Sequence, residues 1–329
     1  MSDLAPTLQA FFTDRLMGQR QSSPNTIAAY RDTFRLLLGF AAERIHTKPC
    51  ELAIADLDAP LIGAFLNHLE SDRGNGVRTR NHRLAAIHSL FAYAALRHPE
   101  HAASIQRVLA IPPKRFERNL VTFLTEAEID ALLGACDQAR WTGRRDHVLL
   151  LLAIQTGLRI SELIGLTCAD IVLDVGAHVH CIGKGRKERR TPLVPTTISV
   201  LRRWLSERDG EASDPLFPTT IGKPLSRDAI ERRIALHVST AAKHCRSLEA
   251  KHVTAHTLRH SCAMRLLTSG VDLAVIALWL GHEQVSTTNI YLHADMTQKE
   301  RAIARTRPLA GKPDRYQAPD VVMAFLDTL

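Results

Sequence analysis

The 329-residue sequence is poor in several things, and each shortage narrows what the protein can be. Six cysteines, at Cys50, Cys136, Cys168, Cys181, Cys245 and Cys262, include no CxxC pair. They build neither a disulfide framework nor a zinc finger, and reduced, buried thiols are expected. No stretch is long and apolar enough to span a bilayer; HVLLLLAIQTG, His147 to Gly157, reads as a buried helix. The start, MSDLAPTLQA, lacks the charged-then-apolar order of a secretory signal, so a cytoplasmic protein without membrane contact is expected. Aromatic residues make up 5% of the chain and only four are tyrosines, which leaves few candidates for a functional phenol. There is no internal repeat and no low-complexity tract. Acids are outnumbered: 34 Asp and Glu face 42 Lys and Arg, a net charge of +8. With a pI near 9.4, such a balance is expected of a chain that meets a polyanion.

What is present is apolar residue enough, 45%, for a sizeable core in two domains. The first half reads as all helix. In SSPNTIAAYRDTFRLLLGFAAER, Ser23 is the N-cap and Pro24 the first helical residue, with Ile27, Tyr30, Phe34, Leu37 and Leu38 along one stripe. Asp58 to Ser71 and Arg83 to Leu96 repeat the pattern, joined by a glycine-containing basic turn, RGNGVRTRN. Between Ile111 and Leu120, IPPKRFERNL carries two prolines and three cations, the composition of an exposed linker. The expected division is residues 1–116, 117–310 and a tail of 311–329.

The second half changes character. DHVLLLLAIQTGLRISELIGLTCADI reads as two helices broken at Thr156 and Gly157, with Arg159 just after the break and Glu162 three residues on. AHVHCIGKGRKERRTPLVP reads as two short strands joined by the turn at 183–185, and helices resume at Pro195. The fold class expected is therefore mainly α, with a small β-sheet in the C-terminal domain. Cations cluster in two acid-poor runs: Arg73, Arg78, Arg80 and Arg83 in the first half, and Lys184 to Arg190, including Arg186 and Lys187, in the second. A charge run is often only a solvated face; two of them, one per domain, suit a clamp on a phosphate backbone.

The densest local signal is HTLRHSCAMRLLTSG, His256 to Gly270. Leu258, Cys262, Leu266 and Leu267 recur at helical spacing and Gly270 is a natural stop. His256 and Arg259 then share a face near the positive end of the helix, an arrangement that repels itself unless an anion sits there. Downstream, Gly281 caps DLAVIALWL so that His282 projects from a helix end. Tyr291 is expected on a helix begun by Ser286, and Thr297 with Glu300 makes a capping-box pattern for one more.

Taken in order, TGLRISEL, GKGRKERRTPL, HTLRH, LGH and Tyr291 resemble the tyrosine recombinase, or phage integrase, family over roughly residues 22 to 305. The helices of the first half resemble that family's SAM-like core-binding domain. The resemblance implies that Arg159 and Arg259 hold the non-bridging oxygens of a scissile phosphate and that Lys184 protonates the departing 5′ oxygen. His256 and His282 would assist proton transfer, and Tyr291 would attack to form a 3′-phosphotyrosyl bond. Glu162 would support an arginine, and His260 would have a supporting or packing role. The implied partners are double-stranded DNA and further copies of the chain in a tetrameric synapse, in a nucleoid-associated bacterial protein. No metal or cofactor is implied. Little chain precedes the core-binding helices, so a two-domain recombinase without an arm-binding domain is expected.

The residue types agree with that chemistry independently. A phenol with an ordinary pKa near 10 is a poor nucleophile at neutral pH, and a dense cationic pocket stabilises both phenolate and transition state. Planar guanidinium groups suit a phosphate better than lysine does. Two other readings stand beside this one. His252, His256 and His260 recur every four residues and could line one helix face as ligands of a metal-dependent hydrolase, and the basic runs alone would serve a DNA-binding protein without catalysis. At the end of the chain, Asp320 to Leu329 (DVVMAFLDTL) has one apolar helical face too short to persist alone, so it is expected to dock on its own domain or on a neighbouring copy.

Overall fold

The structure is a computed structural model that describes residues 3–116, 121–183 and 187–282, together with Thr288 and Tyr291. The chain divides into two compact units, Met1–Arg118 and Asn119–Leu329. No helix among the described residues is long and apolar enough to cross a membrane. The turn carrying Lys184 and Arg186, the helix expected from Ser286, the capping box at Thr297 and Glu300, Tyr316 and the tail from Asp320 lie outside the described residues.

The first unit is helical. Helix α1 (Leu4–Ala10) runs on into wider π-type turns over Phe11–Gln19, and Ser23 caps α2 (Pro24–Ile45) by accepting from the Thr26 N–H. Asp58 does the same for Leu61 at 2.8 Å, opening α3 (Ala59–Ser71). These caps satisfy N–H groups that a helix start otherwise leaves unpaired. Next come α4 (Val77–Ala94) and α5 (Ala102–Leu109). Phe34, Leu37 and Ala41 of α2 are buried with Phe11, Phe65, Leu84, Leu90 and Tyr93 in one core.

One expectation fails here. Helix α4 starts at Val77, six residues before Arg83, so the basic run beyond Gly76 is not a turn but the first turns of a helix. Cations at a helix start oppose the dipole, which is why the pattern argued for a loop there. Nothing in VRTRN forbids a helix, however, and arginine is a good helix former.

The second unit holds the small sheet. Thr125 and Glu128 form a capping box on α6 (Glu126–Gly134). Helix α7 (Trp141–Thr156) is buried along most of its length and stops at Gly157, whose φ is +63°. A Cβ there would press on Leu280 and Cys262, so glycine serves both the left-handed turn and the close approach. Helix α8 (Ile160–Gly165) follows at once. The antiparallel sheet has three strands, β1 (Ile171–Val172), β2 (His178–Ile182) and β3 (Glu188–Pro192), in the order β1-β2-β3. The two-residue β1 is too short to show an alternation, and the sequence reading missed it. Helices α9 (Pro195–Arg208), α10 (Arg227–Ala242), α11 (Ala255–Thr268) and α12 (Leu273–Leu280) follow among the described residues.

Buried cysteines were expected throughout. Cys136, Cys181 and Cys262 are buried, but Cys50 is exposed and Cys168 and Cys245 are half-buried; all six are free thiols.

Candidate active site

The break between α7 and α8 turns Arg159 toward the end of α12. Its backbone N–H donates to Glu162 Oε2 at 2.7 Å, Nη1 donates to Oε1 at 2.8 Å, and Nη2 donates to the Gly281 carbonyl at 2.9 Å. Arg259, on the first turns of α11, donates to the Leu280 carbonyl at 2.7 Å and to the Gly157 carbonyl at 2.5 Å. A third guanidinium joins them. Arg189 of β3 donates to Glu162 Oε2 at 2.9 Å and to the Leu280 carbonyl at 3.1 Å.

The C-terminus of α12 is thus the hub. Its last carbonyls have no intrahelical partner and carry the negative end of the helix dipole, and Gly281 in the left-handed region (φ +65°) exposes them. A side chain at 281 would collide with Arg189. Three arginines share these carbonyls, and two of them, Arg159 and Arg189, also share the Glu162 carboxylate. Burial pushes the Glu162 carboxyl up, but the Arg159 N–H and the Arg189 and Arg159 guanidinium groups outweigh it and hold it below the usual value.

The histidines and the phenol lie on the same side. Thr254 caps α11, and His256 and His260 stand one turn apart with ring centres 4.5 Å apart. His260 Nδ1 lies 2.9 Å from Tyr291 Oη, and the two rings meet edge to face. His282, directly after Gly281, places Nδ1 2.8 Å from Thr288 Oγ1. Tyr291, 1% exposed, packs among Cys262, Leu267, Ile276 and Leu280. His252 precedes α11 and is not on its face, which corrects the expectation of a three-histidine helix face. The i, i+4 spacing suggested a longer helix, but Thr254, not an earlier residue, supplies the cap.

The three histidines and Arg259 are lowered by burial and by an excess of positive charge. Burial, then His256 and Arg259, push His260 down to about 4. Burial, then Arg259 and Arg159, push His282 down to about 4. His256 is lowered in the same way, and Arg259 falls to about 10 through burial and the neighbouring Arg159. Burial pushes the Tyr291 phenol up to about 12, against the pull of Arg259. An anion placed among these groups would relieve their mutual repulsion.

The site residues named from the sequence fall into three groups. Arg159, Glu162, His256, Arg259, His260, His282 and Tyr291 are brought together. Lys184 and Arg186 lie outside the described residues, and Lys187 is exposed just beyond them. The N-terminal run separates: Arg73 and Arg78 are exposed and Arg83 is half-buried, but Arg80 is 6% exposed and donates to Asn81 Oδ1 and the Pro112 carbonyl. Arg80 therefore ties α4 to the 112–116 segment rather than facing solvent, a correction to its place among the phosphate contacts.

Two side chains, Arg189 and Thr288, and three backbone carbonyls were missed. Arg189 was read only as part of a charge run, although it sits two residues before buried Thr191 on the inward side of β3, where strand alternation pointed. Thr288 and the carbonyls of Gly157, Leu280 and Gly281 carry no sequence signal for this role.

A paired-arginine pocket with a phenol and three imidazoles, on a helical unit with a small three-stranded sheet, defines a class before any comparison is made. By sequence the chain belongs to the phage integrase family, the tyrosine recombinases: the Phage integrase family pattern matches residues 122–298, and the Phage integrase, N-terminal SAM-like domain pattern matches residues 10–98. It is 54% identical over 328 residues to y4rC of Sinorhizobium fredii, described as an integrase/recombinase, covering 100% of this chain and 99% of that one. It is 32% identical over 306 residues to the tyrosine recombinase XerD of Pseudomonas putida, covering 90% of this chain and 96% of that one. The fold matches XerH site-specific recombinase bound to difH substrate, with a TM-score of 0.67 at 22% identity over 87% of this chain and 81% of that one.

Proposed function

We propose that the protein cuts and rejoins double-stranded DNA at specific sites through a 3′-phosphotyrosyl intermediate. The observation that carries this reading is the convergence of Arg159 and Arg259 on one helix end, with Tyr291 Oη within hydrogen-bonding distance of His260. Two planar cations, with Glu162 as the one carboxylate bonded to them among the described residues, suit the non-bridging oxygens of a phosphodiester.

In the reaction Tyr291 Oη attacks phosphorus, its proton passes to His260 Nδ1, and the bond from phosphorus to the 5′ oxygen breaks. Lys184 supplies the proton that the departing oxygen takes. Phosphate binding raises the affinity of His260 for a proton, because an anion offsets the cations that now depress it. His256 and His282 steady the negative charge that develops on the phosphoryl oxygens. The phosphotyrosyl bond retains the energy of the broken one, so rejoining to a new 5′-hydroxyl needs no nucleotide cofactor.

Residues 1–116 act as the core-binding domain, with Arg73, Arg78 and Arg83 at phosphates; residues 117–310 act as the catalytic domain, and 311–329 as a tail that docks in cis or on a neighbouring copy. Several copies assemble on paired DNA sites, in the cytoplasm at the nucleoid. A lambda integrase dimer bound to a core site is described, as is a Tn1549 transposon integrase in complex with circular intermediate DNA.

The test is covalent capture in the presence of a chelator. Wild-type protein should form a denaturant-resistant adduct with DNA carrying its site, and Tyr291→Phe should bind the same DNA without forming one. Binding with no adduct in the wild type would leave a DNA-binding protein without catalysis, and an adduct lost on chelation would revive a metal-dependent mechanism.

A further inference from the structure

The first unit carries a cluster that the recombination chemistry does not use. Asp3, His98 and Glu100 each offer one ligand atom, and these three atoms lie within 4.8 Å of one another. We propose that Asp3, His98 and Glu100 bind a divalent zinc-type ion that fastens the start of α1 to the segment between α4 and α5.

The hydrogen bonds around the cluster decide which atoms face the ion. Thr7 Oγ1 lies 2.7 Å from the Asp3 carbonyl and 2.7 Å from His98 Nε2. A hydroxyl has one hydrogen. Given to the carbonyl, it leaves Thr7 able only to accept, so His98 Nε2 carries the proton and donates. The other ring nitrogen, Nδ1, is then a lone pair in the neutral imidazole, and it faces Glu100 Oε1 at 3.1 Å. With its lone pair at Nδ1, the imidazole joins the two carboxylates as a third donor to a metal ion; with the Thr7 hydrogen given to Nε2 instead, Nδ1–H donates to Glu100 and no ion is needed, and Zn2+ binding separates the two arrangements.

Three features favour the metal. Thr7 holds the ring by the nitrogen opposite the ligand, as the outer partners of metal-bound histidines do. Asp3 is also held: the Ile54 N–H donates to Oδ1 at 2.9 Å, and His101 Nε2 lies 2.8 Å from Oδ2. One imidazole with two carboxylates is a donor set that suits Zn2+ with a water in the fourth position. The ligands come from opposite ends of the first unit's sequence, so the ion would close a long loop and add to folding stability. It has no part in strand cleavage.

The test uses the full chain, stripped with a chelator and titrated with Zn2+ by calorimetry, and with Co2+ read by its visible absorption. Because His256, His260 and His282 could also take up metal, the result is the difference between wild type and Glu100→Gln, a change at a side chain 59% exposed that should not disturb folding. Wild type should bind one more Zn2+ than Glu100→Gln and melt at a higher temperature with Zn2+ than without. Thr7→Val, which keeps the shape and removes the outer partner, should weaken that ion about tenfold. Equal Zn2+ stoichiometry in wild type and Glu100→Gln would overturn the proposal and leave His98 as a hydrogen-bond partner of Glu100 only.

Discussion

The two arginine-rich regions of this chain look alike as sequence and differ as structure. In the first unit, Arg73 lies exposed between α3 and α4 and Arg78 exposed on the first turn of α4, and among the described residues no single carboxylate gathers the run. In the second, Arg159 and Arg189 share the carboxylate of Glu162, and all three of Arg159, Arg189 and Arg259 reach the carbonyls that end α12, with Arg259 only 3% exposed. Exposed, mobile cations give affinity through counterion release and fix little geometry. Cations held on carbonyls before any ligand arrives need no rearrangement as charge develops, which is where rate enhancement comes from. The first region should set how tightly DNA is held, the second how fast it is cut.

Substitutions can break that division, and the largest effect is expected in the second region. Arg259→Lys keeps the charge but loses the planar pair of donors, and should slow single-turnover cleavage by roughly 10²–10³-fold with affinity nearly intact. A large loss of affinity with cleavage of the bound complex unchanged would reverse the assignment. Lys184→Ala should slow cleavage of ordinary DNA by about 10²-fold or more, as loss of a general acid does. It should slow a substrate with a 5′-bridging sulfur far less, because sulfur leaves without a proton. Equal slowing on both substrates would remove that role.

Arg189 sharpens the comparison because it touches no predicted phosphate ligand directly except through Glu162. Arg189→Gln should cost cleavage about tenfold by loosening Arg159, with the change in kcat rather than in DNA affinity, and Arg189→Lys should recover part of it. Effects confined to melting temperature would mark it as structural only. At the weak end, Arg73→Ala and Arg78→Ala should each lower affinity on every DNA sequence alike and reduce the salt slope by about one; an unchanged slope would take them off the DNA.

Acidity probes the same pocket in the free protein. His260 and His282 are pushed from an ordinary value near 6.5 down to about 4. The unfolded chain therefore takes up their protons first as pH falls. The stability they contribute is complete above about 6.5 and is lost between there and about 4. Melting temperature should drop as pH is lowered through this window, and His260→Asn should flatten the fall. A profile identical to wild type would mean that His260 is not buried beside its cations.

Much of this was legible beforehand, for identifiable reasons. Ser23, Asp58 and Gly281 announce helix ends because each satisfies backbone groups by a side chain or a left-handed turn. The five ordered motifs revealed the family because each puts a charged or titratable side chain where the pocket needs one. Other features left no trace. The start of α4 was obscured by cations that a helix start disfavours, and β1 is too short for a pattern. The carbonyls on which Arg159, Arg189 and Arg259 converge belong to the backbone of residues chosen for other reasons. Arg80 shows the limit of counting charges: in sequence it matches Arg78, yet it is buried against the Pro112 carbonyl.

The central claim is that the second unit's cations serve one phenol, and mass spectrometry of the covalent adduct tests it most directly. Wild-type protein trapped on its DNA, then digested with protease and nuclease, should yield one peptide bearing a nucleotide through phosphorus, with the modification on Tyr291. A nucleotide found instead on another side chain, with Tyr316 the first to check, would contradict the account.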